Sequence, residues 1–317
     1  MKKISIITTF YNAEQFIVNA IHSIAQQIIS DDFCIEYVIV DDKSEDNSRN
    51  LIEKYFNNNP VSKNLQVILI TPDKNLGCGG ARKYGIDNAT GDYYMFLDAD
   101  DYYINRDFVK RAFETIEAEN ADIVEYGILF NQPNGNQQVN KVNEKIICEN
   151  NPMLAELLLF NDNIIKFNVW TKIYKRHIVE SYPYSIERTF EDVRTIPMWI
   201  ANAHKIVIMP SVEINYRAAG GSIIRTDMIK TRIGTITAIA SLFETFKNEP
   251  RILKAMYKRS MVDLEATLNN HSSKDPGFNA MSRLNTYMLS FLYPNKYKEI
   301  TYHVEDDPEL QNNKKGE

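Results

Sequence analysis

The stretch 92–101, Asp-Tyr-Tyr-Met-Phe-Leu-Asp-Ala-Asp-Asp, begins as a strand and ends as an acidic cluster. The apolar and aromatic run Tyr93 to Leu97 reads as a buried β-strand. It stops at Asp98, Asp100 and Asp101, whose carboxylates repel and raise one another's pKa unless a cation neutralises them. Oxygen-only ligands suit hard divalent ions such as Mg²⁺ or Mn²⁺. Ligands of open α/β sheets bind at the carboxyl ends of strands. One reading is therefore a metal at a strand end, holding a phosphate-bearing substrate. The other is a solvated acidic turn in which Asp101 caps the next helix.

Outward from this stretch, the first ~125 residues alternate strand and helix, a pattern that predicts a mostly parallel sheet with right-handed crossovers. Strands are expected at Ile4–Thr9, Cys34–Val40, Leu65–Ile70 and Tyr93–Leu97. Between them, apolar periodicity predicts a helix from Phe16 to Ile28, and another through Leu51, Ile52 and Tyr55 with Ser44 or Asp46 as its N-cap. A Gly-rich loop, Asn75 to Gly80, is expected to open a third helix. Later, Ile123–Phe130, Lys205–Met209 and Glu213–Arg217 read as strands, and Met153–Phe160 and Phe190–Ala203 as helices. From Asp227 the pattern is helical over 227–247, 250–269 and 278–293. The expected organisation is an α/β domain over 1–220, a helical module over 221–303 and a disordered polar tail over 304–317.

The bulk numbers fit this picture. The chain has 317 residues, 44% hydrophobic and 25% charged, in the range of a soluble globular protein. A formal charge of -6 argues against wholesale nucleic-acid binding. Residues 225–300 nevertheless carry 12 Lys/Arg against 7 Asp/Glu, so an anionic acceptor, a peripheral membrane contact or an ordinary helical surface all remain open there. Cys34, Cys78 and Cys148 fit neither a disulfide framework nor a zinc site, which points to a reducing, cytoplasmic setting. No stretch reaches the roughly 18 apolar residues of a membrane span.

The strand ends Thr9-Phe10-Tyr11-Asn12, Asp41-Asp42 and Asp98-Ala99-Asp100 would share one edge of a parallel sheet, where a nucleotide could lie. Tyr11 can stack on a base, and the Asp42 carboxylate can accept a base imide N–H, which would favour uracil. Asp98 can bond a ribose hydroxyl, and Asp100 can ligate a metal between phosphates. Glycines 77, 79 and 80 allow close backbone approach, and Arg82 follows one turn into the helix, where it can meet a phosphate or the base edge. A mere turn is the competing reading of that loop; no Walker signature follows it. Glu191-Asp192 open an amphipathic helix, where first-turn acids are favoured by the helix dipole.

With these residues in view, the chain resembles glycosyltransferase family two, whose fold is GT-A, a Rossmann-like sheet flanked by helices. The resemblance is carried in order by Tyr11-Asn12-Ala13-Glu14, Val38 to Asp46, Asn75-Leu76-Gly77 to Ile86, Phe96 to Asp101, Lys172-Ile173-Tyr174, Phe190-Glu191-Asp192, and Tyr216-Arg217 with Ser222-Ile223. It covers residues 1 to ~225. Thr8 or Thr9 stands where the family has Pro, and Lys83 where Asn commonly follows Ala-Arg.

The resemblance implies an inverting transfer of a hexosyl or pentosyl group from a nucleotide-sugar, with Mn²⁺ or Mg²⁺ as cofactor. By position it implies that Thr9, Tyr11 and Asp42 contact uridine, and that Asn75 and Arg82 support base and phosphate. Asp98 and Ala99 would contact the nucleotide-sugar, and Asp100 with Asp98 the metal. Asp192, accompanied by Glu191, would be the general base. The expected partners are a UDP-sugar and a hydroxyl acceptor, such as a glycan or lipid-linked saccharide of a surface polymer. A nucleic-acid base or protein acceptor is the alternative. A sugar nucleotidyltransferase fits less well, because Thr9-Phe10-Tyr11-Asn12 lacks the Gly-rich basic loop that chemistry uses. Trp170 and Tyr174 would either wall an acceptor pocket or belong to the core. Arg217 and Arg225 flank Gly220-Gly221-Ser222, read as either a lid on the diphosphate or a hinge without a role.

Overall fold

Four parallel strands set one edge of the sheet, and its remaining strands are added beyond them. The computed structural model describes residues 1–132, 135–149, 166–188, 190–217, 238 and 240–248. By its contacts the chain divides into two units. One is Met1–Asn151 with Ile165–Gly220, the other Pro152–Ile164 with Gly221–Glu317. In the second unit the description is confined to Ala238 and residues 240–248, where Ala238, Leu242, Phe243 and Phe246 are buried. The helices expected at 153–160, 250–269 and 278–293, most of that at 227–247, the tail 304–317, and the segment Gly220 to Arg225 lie outside the described residues.

In the first unit, β1 (Lys2–Phe10), β2 (Phe33–Asp41), β3 (Leu65–Ile70) and β4 (Tyr93–Phe96) form the parallel part of the sheet. The remaining strands are β5 (Tyr102–Tyr103), β6 (Ile123–Asn131), β7 (Gln137–Asn140), β8 (Ile146–Glu149), β9 (Lys172–Lys175) and β10 (Lys205–Arg217). The order along the sheet is β3-β2-β1-β4-β9-β6-β10-β5, with β7 beside β6 and β8 beside β10. β9 is antiparallel to both β4 and β6, so the parallel character is interrupted beyond β4. The apolar runs predicted as strands are buried: Ile4, Ile6 and Ile7 in β1, Val38, Ile39 and Val40 in β2, and Tyr93 to Leu97 at β4.

The helices are α1 (Ile17–Ala25), α2 (Ser48–Asn58), α3 (Gly77–Asp87), α4 (Phe108–Ala118), α5 (Arg176–Ser181) and α6 (Glu191–Ala201). Helix α1 buries Ile17, Ala20, Ile21 and Ile24, the stripe that its periodicity predicts.

Several expectations are corrected. Asp101 caps no helix: α4 starts at Phe108, and the buried Asp101 carboxylate accepts the Arg217 N–H at 2.8 Å. Ser44 does not cap α2, because its hydroxyl accepts the Asn12 N–H at 3.1 Å. Asp46 does accept the Ser48 N–H at 3.0 Å. The two strands expected around Pro210 are one strand, β10, whose pairing with β6 shifts register between Ile208 and Val212. A bulge of this kind accommodates a residue that cannot donate to the ladder.

At the amino-terminal side of the sheet, buried Glu36 accepts the Ser5 hydroxyl at 2.6 Å and the Thr90 N–H and hydroxyl at 2.7 and 2.6 Å. Burial raises its pKa, but the Ser5 and Thr90 hydrogen bonds and the Lys3 charge outweigh burial, and the net shift is downward. A carboxylate with a depressed folded pKa contributes stability above the ordinary glutamate range and loses it as pH falls through the folded value. Glu36→Gln is therefore expected to cost about 1–3 kcal/mol at neutral pH. Urea unfolding at pH 7 and pH 4 should show the gap between variant and parent narrowing at the lower pH.

Candidate active site

The chain moves from β1 to β2 on one side and returns to place β4 on the other. This creates a switch point between β1 and β4, where open α/β sheets bind ligands. Register brings the strand ends together. Asp42 N donates to Phe10 O at 2.9 Å, and Leu97 N donates to Ile7 O at 3.0 Å. Thr9, Tyr11, Asp42 and Asp98 thus stand on one edge, with Tyr11 50% exposed.

The loops after β1 and β2 are interlocked. Asn12 adopts a left-handed φ of 51°, and its Oδ1 accepts the Glu45 N–H at 2.8 Å. Ser48 Oγ accepts the Ala13 N–H at 2.8 Å, while Asn47 N donates to Glu14 Oε2 at 3.1 Å. Two sequence motifs more than 25 residues apart are one structural unit, which explains their Asn, Ser and acidic residues without reference to a ligand.

Asp42 has a second task. Its two carboxylate oxygens accept the Leu76 and Gly77 N–H groups at 2.7 and 2.8 Å, and its carbonyl accepts Asn75 Nδ2 at 2.8 Å. The first N–H groups of a helix lack intrahelical partners, and Asp42 supplies them from another element. For this reason α3 begins at Gly77, and the glycines expected in a loop lie in its first turn. Gly77 has φ +74°, which suits glycine. A Cβ on Gly79 would collide with the carbonyl oxygens of Ser185 and Glu187, so the segment before α6 lies directly on α3. Burial raises the Asp42 pKa against the pull of the Leu76 and Gly77 N–H groups.

Arg82, on α3, is 5% exposed. Its Nη2 donates to Asp98 Oδ1 at 2.7 Å, and its Nη1 to the Tyr184 hydroxyl at 3.1 Å and to Glu191 Oε1 in a short contact. Glu191 also accepts the Cys78 thiol at 3.3 Å, and burial keeps that thiol's pKa raised. Asp192 follows Glu191 in the first turn of α6. Among the described residues, the hydrogen bond it accepts comes from the Val193 N–H at 2.8 Å. Burial, and then the neighbouring Glu191 charge, push its pKa up to about 7. Helix α6 is anchored by an aromatic cluster: Trp199 lies 5.1 Å from Tyr174, 5.7 Å from Tyr184 and 6.3 Å from Phe96 between ring centroids. Trp170 and Tyr174 are themselves buried, Trp170 stacked on Tyr216 at 5.4 Å, as core aromatics are.

The turn after β4 holds Asp98, Ala99 and Asp100, closed by Asp101 N donating to Asp98 O at 3.1 Å. Burial, and then the Asp98 charge, push Asp100 up to about 6. Asp101 is raised well above the carboxylate range by burial and by the Asp100 and Asp98 charges. Its Oδ2 is buried without a hydrogen-bond partner. An orphaned buried oxygen among crowded carboxylates fits a nearby cation. Among the described residues, no group of at least three His, Cys, Asp or Glu side chains could hold a metal ion by itself. Mg²⁺-type sites formed by one or two carboxylates and substrate phosphates need no such cage.

Sequence reasoning missed Tyr184 and Arg188. Arg188 is exposed and donates to Asn75 Oδ1 at 3.3 Å, placing a cation beside Asp42. Only the packing of segment 185–188 on α3 brings these residues to the rim, and no spacing in the sequence signals it. Histidines 22, 177 and 204 lie elsewhere: His22 meets Tyr55 at 2.9 Å and His177 meets Asp122 at 3.4 Å. His271 and His303 are outside the described residues. A cavity of about 520 Å³ between α1 and β5 is lined in part by Asn19, Gln26, Arg106 and Arg217, the last also the backbone donor to Asp101. No helix among the described residues is long and apolar enough to cross a membrane.

The sequence profile of Glycosyl transferase family 2 matches residues 5–181, more than half of the chain and including the acidic ends of β2 and β4. The chain belongs to glycosyl transferase family 2. It is 25% identical over 232 residues to the glycosyltransferase GlyG of Streptococcus pneumoniae, covering 71% of this chain and 73% of that protein. It is 29% identical over 216 residues to the poly(ribitol-phosphate) beta-N-acetylglucosaminyltransferase TarS of Staphylococcus aureus, covering 66% of this chain but 34% of TarS. The crystal structure of TarS 1–349 with UDP-GlcNAc superimposes with a TM-score of 0.58 at 19% identity, covering 93% of this chain and 89% of that one. The fold of this family 2 glycosyltransferase is accordingly GT-A.

Asp42→Asn leaves a single oxygen for two backbone donors. Amide exchange at Leu76 and Gly77 is expected to quicken by at least about tenfold, corresponding to roughly 1.4 kcal/mol of lost protection. Hydrogen–deuterium exchange read by mass spectrometry on peptides spanning 73–80 checks this.

Proposed function

We propose that the protein is an inverting glycosyltransferase that moves a sugar from a UDP-sugar to an acceptor hydroxyl, with Asp192 as general base. The observation that carries this reading is a single chain of contacts: Asp42 caps α3, Arg82 on α3 holds Asp98 and Glu191, and Glu191 precedes Asp192. A carboxyl suited to accept a proton at neutral pH is thereby tied to a rim suited to a nucleotide diphosphate.

The acceptor oxygen attacks the anomeric carbon while its proton passes to an Asp192 carboxylate oxygen. The bond from that carbon to the diphosphate oxygen breaks, and UDP leaves on the opposite face, inverting the centre. Tyr11 stacks on the base, Asp42 faces it with its remaining lone pairs, and Asp98 bonds the ribose. Asp100, with Asp98, would hold Mn²⁺ or Mg²⁺, which when bound neutralises charge on the leaving diphosphate. UDP as nucleotide is supported by TarS having been solved with UDP-GlcNAc. The acceptor class we favour is a glycan or lipid-linked saccharide of a surface polymer, in line with what TarS is named for, and the compartment we favour is the cytoplasm, in line with free Cys34, Cys78 and Cys148.

Asp192→Asn should retain UDP binding and lose roughly 10²–10⁴-fold in transfer rate. Because the base must be deprotonated, kcat/KM of the parent should fall as pH drops below about 7, and that acid limb should vanish in the variant. Transfer by Asp192→Asn at the parental rate would remove the base assignment. Asp100→Ala is expected to abolish the part of UDP binding that depends on added Mn²⁺. Calorimetric titration with UDP, with and without the ion, measures this.

A further inference from the structure

We propose that Arg82 is a positioning residue, a buried strut that fastens the donor rim at Asp98 to Glu191 and so holds Asp192 in register with the donor. This rests on the reading of Asp192 as the base. The guanidinium fork presents donors in one plane and suits two carboxylates at once. In this chain both of its terminal nitrogens are taken by Asp98, Glu191 and Tyr184. Three of its five N–H groups are thereby committed to protein partners.

Three further features converge on the same joint. The carbonyls of Ser185 and Glu187 press on Gly79, and Arg188 donates to Asn75, so the lead-in to α6 is fastened along the start of α3. Phe190, the residue before Glu191, has a left-handed φ of 56°. That conformation is strained for a bulky side chain and persists where surroundings over-determine it. On its other side α6 is held by Trp199 among Phe96, Tyr174 and Tyr184, with Trp199 Nε1 donating to Tyr182 O at 2.8 Å. Helix α6 is therefore attached at both ends, by Trp199 near its carboxyl end and by the Arg82 ion pair at its first turn.

The titratable and charged groups around Asp192 are Glu191 on its own helix, Arg82 on α3, Asp98 at the end of β4, Lys172 and the neutral Tyr174 on β9, and the neutral Tyr184 before α6. Cys78, also on α3, contacts Glu191. Glu191 and Asp98 raise the Asp192 pKa and Arg82 lowers it. The strut thus has an electrostatic signature that a merely structural contact would lack.

The test measures transfer from UDP-GlcNAc with Mn²⁺ across pH for Glu191→Gln, Glu191→Asp, Arg82→Gln and Arg82→Lys, with melting and UDP titration as checks on folding and donor binding. Glu191→Gln should move the acid limb of kcat/KM down by roughly one unit, and Arg82→Gln should move it up. The charge-conserving partners Glu191→Asp and Arg82→Lys should restore the limb. In both Gln variants kcat should fall by at least about tenfold, with donor KM within about threefold of the parent.

An unmoved limb and unchanged kcat in a folded, UDP-binding Glu191→Gln variant would overturn the proposal. So would a loss confined to donor KM in the Arg82 variants, which would make Arg82 a donor ligand. If a Gln variant fails to fold, its charge-conserving partner decides by the same kcat-against-KM split. Failure of the base assignment is read separately, as an acid limb that survives in Asp192→Asn.

Discussion

The first unit is organised around one electrostatic problem: Asp98, Glu191, Asp192 and Asp100 are gathered close to one another with limited access to water. Burying unpaired charge is costly, and a buried pair holds only if its geometry and remaining hydrogen bonds are well met. Arg82 meets that requirement for Asp98 and Glu191 at once. The others are left under strain, visible in the upward shifts of Asp100 and Asp192. Removing the guanidinium would leave the buried Glu191 and the part-buried Asp98 without that counter-charge. Arg82 can occupy its place only because α3 starts where it does, and that start is set by the Asp42 carboxylate.

The same division of labour recurs at the loops. The residues after β1 and β2 look in the sequence like a row of ligand groups, yet Asn12, Glu14, Ser44, Asp46 and Ser48 are engaged with one another. Their mutual bonds satisfy backbone N–H groups that a sheet edge would otherwise leave bare. What they leave free is Tyr11, half exposed at the mouth of the switch point. A scaffold that satisfies its own polar groups is what lets a few uncommitted ones act on a ligand.

How much of this was legible in the sequence follows from the range of each interaction. Strands β1 to β4 and helices α1 and α6 are written in local hydrophobic period, and they form where expected. Strand β9 was read as the motif Lys172-Ile173-Tyr174, because four residues are too few for periodicity to declare a strand. The capping of α3 by Asp42 spans more than 30 positions, and the lodging of Asp101 against Arg217 spans 116, so no window of sequence contains either. Pro210 suggested a break in β10, but the strand absorbs it with a register shift against β6. The acids of the rim were legible as residue types. Which of them are structural had to come from tertiary contacts.

Glu191 and Asp192 show why that distinction matters. Acids in the first turn of a helix are ordinarily explained by the macrodipole, which favours the charged form. Were that the whole account here, both would be solvated and Asp192 would titrate low. Instead Glu191 is buried against Arg82, and Asp192 is pushed to about 7, burial and the Glu191 charge prevailing over the helix terminus and the Arg82 charge. The pairing assigns different work to two adjacent carboxyls: Glu191 is ion-paired to Arg82, and its charge raises the proton affinity of Asp192. A neutral residue at position 191 would weaken the attachment to Arg82 and lower the basicity of Asp192 together.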